Sequence, residues 1–241
     1  MTSIGILSDI HLREEYATEI YETLVAIRED YALNEKIAHT FVLGDLIQDS
    51  DPDIDRAHLN ELHSIFSDWV SPVTYLLGNH DIGTLSKQEV ATILSQEDFR
   101  GVTRVDGDPF VYLDSTQPTI ADRGKIGTNQ REWLRTNLPT DAIVLSHHPL
   151  GSFSLSRNVW FENYPERAYP WDRKEVLNII ERNARATVGG HIHQTSQNHS
   201  QRVEHFSINA ISKETPTNPV SGHYGVLSVD NSITLEMRQI D

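Results

Sequence analysis

Leu77-Gly78-Asn79-His80-Asp81 is the stretch on which the reading of this chain turns. Val73 to Leu77 follows Pro72 as a short apolar run of β-favouring residues, so it predicts a buried strand that stops at Gly78. Asn79 and His80 then project from a strand end. A neutral amide oxygen can coordinate a metal there without adding charge, and an imidazole can ligate, donate a proton or accept one. In isolation the same residues also suit an ordinary turn.

The pattern repeats upstream. Ile4 to Leu7 predicts a first strand, followed at once by Ser8-Asp9-Ile10-His11. Residues two apart on an extended segment face one side, so Asp9 and His11 are expected to point into one site, although Asp-x-His alone also fits a helix cap. Ile20, Leu24 and Ile27 predict an amphipathic helix over 17–30. Thr40 to Leu43 is the next strand, and it runs into Gly44-Asp45-Leu46-Ile47-Gln48-Asp49. Asp51 and Pro52 have the chemistry of an N-cap and first helical residue, with Ile54, Leu62, Ile65, Phe66 and Trp69 as the apolar positions that follow. His58 and His63 fall on that helix as packing or surface residues.

Downstream, Ser86 and Glu89 form a capping box that opens a short helix to about Ser95. Val102 to Val105 and Phe110 to Leu113 read as strands joined by an Asp-Gly-Asp-Pro turn. Gln130, Trp133, Leu134 and Leu138 predict a helix over 128–137, and the strand Ala142 to Leu145 ends in Ser146-His147-His148-Pro149. Residues 150–172 carry Phe153, Trp160, Phe161, Tyr164, Tyr169 and Trp171. Such a loop either buries its rings against one another or offers some of them as a substrate wall. After a helix at Glu175 to Ile180, the strand Ala186 to Val188 ends in Gly189-Gly190-His191-Ile192-His193, where two imidazoles on an extended segment can serve one metal cluster. Val203 to Ile208, Tyr224 to Val229 and Ile233 to Met237 close the chain as strands, so part of the second sheet is expected to be antiparallel.

Composition narrows the chemistry. A chain of 241 residues without linker-like or repetitive tracts is expected to form one domain over residues 1–241. The net charge of −15 argues against a grip on duplex nucleic acid or an anionic membrane, while a small phosphorylated partner stays allowed. With no cysteine, any metal must be held by His, Asp, Glu or Asn. A first strand without a basic, apolar leader suggests a cytoplasmic protein.

Asp9, His11, Asp45, Asn79, His80, His147, His191 and His193 therefore all lie directly after predicted strands. Open α/β sheets build their sites at that end of their strands. In this order the motifs Asp9-Ile10-His11, Gly44-Asp45, Gly78-Asn79-His80-Asp81, His147-His148 and Gly190-His191-Ile192-His193 resemble the blocks of the calcineurin-like metallophosphoesterase family. The resemblance implies an α/β fold, a four-layer α/β/β/α sandwich, with a two-metal site (Mn, Fe or Zn) between the sheets. Asp9, His11, Asp45 and His193 would hold one ion, and Asp45, Asn79, His147 and His191 the other. A metal-bridging hydroxide would attack a phosphodiester, cyclic nucleotides and nucleotide diphosphates being the expected substrates. Phosphomonoesters, nucleic acid or a silent binding scaffold are the alternatives.

The same resemblance makes His80 the group that contacts phosphate or protonates the leaving oxygen, and Asp81 a catalytic neighbour. Many family members have a second Asp three residues after the bridging one, where this chain has Gln48 and then Asp49, so His80 is expected to be oriented by Asp49 through a shifted turn, by Asp81, or by neither. His148 is expected to touch substrate, as is Asn79, and Arg123, Arg157 and Arg167 could meet phosphate from the loops. Residues 171–177 and 203–214 also resemble ADP-ribose and CDP-alcohol diphosphatase-type members.

Overall fold

Alternating apolar residues along each strand divide between two faces, and that division builds the layers. The computed structural model describes residues 1–34, 36–117 and 123–240. Its first half runs β1 (Thr2–Leu7), α1 (Ala17–Asn34), β2 (Ile37–Val42), α2 (Pro52–Ser67), β3 (Val73–Tyr75) and α3 (Lys87–Ile93). A middle segment supplies β4 (Gly101–Val105), β5 (Asp108–Leu113), α4 (Thr128–Asn137), β6 (Ala142–Ser146), α5 (Arg173–Ile180) and β7 (Ala184–Gly189). The chain closes with β8 (Ser196–Ser200), β9 (Val203–Ser207), β10 (Ser212–Thr215), β11 (Asn218–Val220), β12 (His223–Val229) and β13 (Ile233–Gln239).

One sheet has the strand order β13-β12-β1-β2-β3, the other β4-β5-β6-β7-β9-β8, and β10 with β11 forms a separate ribbon. Ile4, Ile6, Phe41 and Leu43 of the first sheet face Phe110, Ile143, Leu145, Val188 and Phe206 of the second. Their neighbours turn the other way. Leu7 and Val42 pack under α1 and α2 with Ile20, Leu24, Leu59 and Leu62, and Val111 and Val144 pack under α4 and α5 with Leu134, Val176 and Ile180. The result is helix, sheet, sheet, helix. Among the described residues no helix is long and apolar enough to cross a membrane.

Local chemistry sets the boundaries. Asp51 caps α2 by accepting from Asp53 and Ile54 amides with Pro52 at the first position, and Ser86 with Glu89 closes a full capping box on α3. The turn between β4 and β5 is shorter than Asp-Gly-Asp-Pro, because Asp108 already pairs with Val105. Asp106 (φ 50°) and Gly107 (φ 97°) make a two-residue connection with positive φ at both positions, as a tight hairpin requires. α2 stops at Ser67, before Trp69, whose indole N–H instead donates to Thr40 Oγ1 at 3.1 Å.

β12 and β13 return to the first sheet, β12 lying antiparallel to β1. The antiparallel pairs of the second sheet are β4 with β5 and β8 with β9. β1, β2 and β3 run parallel, as do β5, β6, β7 and β9, so the sequence motifs gather where those parallel strands end.

Phe41 and Phe110 stack at 5.2 Å between the sheets, both fully buried. Phe110→Ala is expected to cost about 3–5 kcal/mol, read as a lower urea midpoint at unchanged slope. A loss below about 1 kcal/mol would show that the sheets do not depend on this contact.

Candidate metal centre

Each predicted ligand sits one to four residues past the end of a parallel strand, and the loops there are not extended. Asp9 (φ 55°), His11 (φ 46°), Asp45 (φ 51°), His191 (φ 65°) and His193 (φ 47°) all have left-handed backbone. The expectation that Asp9 and His11, or His191 and His193, share a face by strand alternation is therefore corrected. Alternate left-handed residues fold the chain back on itself and aim both side chains inward. Such a conformation costs a non-glycine residue on the order of 1–2 kcal/mol.

Two glycines make room for this. A Cβ at Gly78 would lie 2.1 Å from Asp45 Oδ1, and one at Gly190 would lie 1.9 Å from Ser8 Oγ and 2.6 Å from Asp9 Oδ2. Neither could be accommodated without moving a carboxylate.

The side chains converge across both sheets. Ligand atoms of Asp9, His11 and His193 lie within 4.8 Å of one another, as do those of Asp9, Asp45 and His147. His147 Nε2 is 3.3 Å from Asp45 Oδ2 and 3.3 Å from Asn79 Oδ1, and its ring lies 5.0 Å from that of His191. All seven predicted ligands are thus brought together.

Backbone carbonyls fix how the imidazoles face. His147 Nδ1 donates to the Leu43 carbonyl (2.8 Å), His193 Nδ1 to the Lys213 carbonyl (2.6 Å) and His191 Nε2 to the Arg167 carbonyl (3.1 Å). A carbonyl only accepts, so these nitrogens carry the protons and the opposite nitrogen of each neutral ring presents its lone pair. His193 Nε2 then meets His11 Nε2 at 3.1 Å and Asp9 Oδ1 at 3.2 Å. Asp9 Oδ1 and His11 Nδ1 are buried with no hydrogen-bond partner. An orphaned carboxylate oxygen on Asp9, lone pairs turned toward one another and carbonyl-held imidazoles form a donor set that fits metal ions.

Electrostatics agree. Burial holds the His11 and His191 imidazoles well below their ordinary value, so both are neutral, as ligands must be. Burial would also raise Asp45, but His147 and His80 override it and keep the carboxylate well below its usual range. His147 answers in kind: burial pulls it down, yet Asp45 lifts it to about 9.

His80 is held by Asp49, not by Asp81. His80 Nδ1 lies 2.7 Å from Asp49 Oδ1. Left-handed backbone at Asp49 (φ 58°) carries its carboxylate back to the ring, so the displacement by one residue after Gln48 is absorbed in the turn. Asp81 is fully buried and accepts from the amides of Gly78, Asp45, Leu46 and Ile47, which ties the Asp45 loop to the Asn79 loop. Its bonds are those of a positioning residue, and they correct the expectation of a catalytic one. Burial, with Asp45 beside it, pushes Asp81 up to about 7.

His148 is fully buried, with Nδ1 2.9 Å from Ser115 Oγ and its ring 4.2 Å from that of His191. Its ligand nitrogen lies within 4.8 Å of those of His147 and His191, so it adjoins the cluster directly. Of the three arginines, Arg167 lines the cavity over the cluster, Arg123 stacks on Trp171 at 4.4 Å, and Arg157 is exposed.

The aromatic loop packs on the end of the His191–His193 segment and lines the cavity over the cluster. Leu155, Phe161 and Ala168 pack on Ile192, while Phe161 lies 4.8 Å from the His191 ring and Trp160 5.8 Å from His193. His11, Asp45, Asn79, His80, His191, His193, Trp160, Phe161, Arg167 and Lys213 enclose a cavity of about 250 Å³. Sequence reading passed over Lys213 and Ser8, whose hydroxyl donates to Asp9 Oδ2 at 2.5 Å. No motif marked either: Lys213 reaches the cavity only through the fold, and Ser8, although next to Asp9 in the chain, has an ordinary turn residue's chemistry.

With this geometry in place, the comparisons are specific. The calcineurin-like phosphoesterase family profile matches residues 2–195. The chain belongs to that family. Its members are metal-dependent hydrolases. No curated protein sequence gives a match. A dimetal phosphatase from Danio rerio superposes with a TM-score of 0.77 at 13% identity, over 99% of this chain and 96% of its own. TT1561 of Thermus thermophilus gives 0.60 at 16% identity over 99% and 98%, and an archaeal phosphodiesterase 0.54 at 12% over 99% and 100%. At such identities the likeness is one of fold.

Because His147 is charged up to about pH 9 and a metal needs it neutral, loading this metallophosphoesterase must expel a proton from Nε2. Apparent affinity for Mn²⁺ is expected to rise about tenfold per pH unit between pH 6.5 and 8.5. A dissociation constant flat across that range would refute the assignment.

Proposed function

We propose that this chain is a phosphodiesterase that uses two metal ions on small, nucleotidic substrates. The observation that carries it is Asp45: one buried carboxylate stands between His11 and His193 on one side and His147 and Asn79 on the other. Asp9, His11, Asp45 and His193 would hold one ion, Asp45, Asn79, His147 and His191 the second, and Mn, Fe or Zn all suit such ligands. When bound, the pair supplies Lewis acidity toward a phosphoryl group and makes a water acidic enough to attack near neutral pH.

The protein's own groups do the rest. His80, which burial would lower but Asp45 and Asp49 lift to about 9, is protonated at neutral pH and serves as acid toward the leaving oxygen. Asp49 fixes its ring. The amide of His80 donates to Asp45 Oδ1 at 2.9 Å, so the acid and the bridging carboxylate keep one register. Trp160 and Phe161 exclude water from one side of the cavity, and the −15 net charge disfavours polyanions such as duplex nucleic acid. The sequence likeness of residues 171–177 and 203–214 to diphosphatase-type members points the same way.

Asp45→Asn and His147→Ala are each expected to reduce Mn²⁺-dependent hydrolysis of bis-p-nitrophenyl phosphate by about 10³-fold or more, with bound metal falling in parallel. Wild-type activity greater on p-nitrophenyl phosphate or single-stranded DNA would select monoesterase or nuclease action instead. Metal-loaded protein inert on all three would select a binding scaffold.

Asp49→Asn keeps the ring contact but removes the charge that raises His80. The basic limb of the kcat profile, set by loss of the His80 proton, is expected to lie at lower pH in the variant than in the wild type. An unmoved limb would exclude His80 as the acid.

A further inference from the structure

One cation that lines the cavity has no anionic partner. Lys213 lies on β10 with left-handed backbone (φ 55°), an arrangement that turns its carbonyl to His193 Nδ1 and sends its side chain into the cavity beside His11, Asp45 and His80. The residue is half-buried, and its ammonium makes no hydrogen bond or ion pair among the described residues. Other cations are matched: Arg56 to Glu89, Lys87 to Asp114, Arg131 to Asp172 and Arg202 to Asp141. Partial desolvation of the Lys213 charge is thus a cost that no direct hydrogen bond or ion pair offsets, and the fields of Asp49 and Asp45 offset it only in part.

Its place relative to the chemistry is asymmetric. Lys213 adjoins the His11 and His193 side, where the His80 ring lies 4.8 Å from His11, and it feels the field of Asp49 as well as Asp45. The ammonium and the leaving-group acid therefore share one flank. The opposite flank, with His147, His148 and His191, is backed by Ser115 and Phe161. The cavity of about 250 Å³ is below the size that encloses a whole drug-sized ligand. Such a volume has room for phosphoryl groups but not for a whole nucleotide.

We propose that Lys213 binds a second anionic group of the substrate on the leaving-group side, so that the site prefers diphosphate-bridged diesters to diesters of a single phosphate. This rests on the phosphodiesterase reading above. In the step implied, the oxygen of water bonds to one phosphorus as the bridging P–O bond breaks. The electron pair stays on the bridging oxygen, which departs as a phosphate monoester. His80 gives that oxygen its proton, and the two protons of the attacking water pass to solvent, one of them returning to His80. Lys213 offsets the charge that gathers on the departing phosphate.

The test compares wild type, Lys213→Met and Lys213→Arg, each with its metal measured, on a panel of nucleoside diphosphate sugars and on bis-p-nitrophenyl phosphate. Lys213→Met is expected to lose about 10–100-fold in kcat/KM on the diphosphates, at least about tenfold more than on the single-phosphate diester, and Lys213→Arg to recover most of it. Methylenediphosphonate should bind wild type more tightly than methylphosphonate, and Lys213→Met should erase that difference. Equal losses on both substrate classes, or none, overturn the proposal. So does a wild type that cleaves bis-p-nitrophenyl phosphate but none of the diphosphates, an outcome that spares the phosphodiesterase reading. A wild type inert on every substrate overturns both.

Discussion

Burying carboxylates beside one another is the constraint on which this structure depends. Asp9, Asp45 and Asp81 are all nearly or fully inaccessible, at 0%, 2% and 0% exposure. Each costs several kcal/mol to desolvate unless something answers its charge. Asp81 is answered by four backbone amides. Asp9 receives Ser8 Oγ and the His191 amide on one oxygen only, and Asp45 receives the His80 amide. Asp45 also has the His147 imidazole 3.3 Å from its Oδ2, whereas Asp9 Oδ1 has no hydrogen-bond partner, and a bound cation would answer that charge.

The same bonds are the seam between the two sheets. The His147 imidazole reaches from the end of β6 to the carbonyl of Leu43, just beyond β2. From the end of β7 the His191 amide reaches Asp9, and Ser212 at the start of β10 donates to the carbonyl of Asp9 at 3.1 Å. Interlayer apolar packing around Phe41 and Phe110 sets the distance between the sheets, and these polar bonds set their registry at the site end. Fold and site are not separable here: shifting one sheet by a residue along its strands would part His147 from Asp45.

This explains which parts of the chain were readable beforehand. Periodicity and cap chemistry are local, so β6, α4, the Asp51 cap and the Ser86 box were legible almost to the residue, and the strand-end rule located the ligands. The left-handed backbone at Asp9, His11, His191 and His193 was not, because Asp and His tolerate that conformation without announcing it, as Gly would. Nor could the sequence choose between Asp49 and Asp81. Both are acids close to His80 in some conformation, and only the φ of Asp49 together with the amide cradle around Asp81 separates them. β8 and the β10–β11 ribbon are mostly polar and only partly buried, so they lack the apolar alternation that reveals a strand.

The division between a rigid and an adaptable half follows from the same accounting of partners. His147, His148 and His191 are buried and tied by Leu43, Ser115 and Arg167. A group that must hold a metal in one geometry gains from such fixation, since the ordering is completed during folding. His80 is different, its side chain 28% exposed and linked to the comparably exposed Asp49. In the proposed reaction a proton donor at this place would meet a leaving oxygen whose position changes as the bond breaks, and would then be recharged from solvent. Partial exposure permits both, whereas full burial of that ring would have lowered its proton affinity and cut it off from the solvent that restores it.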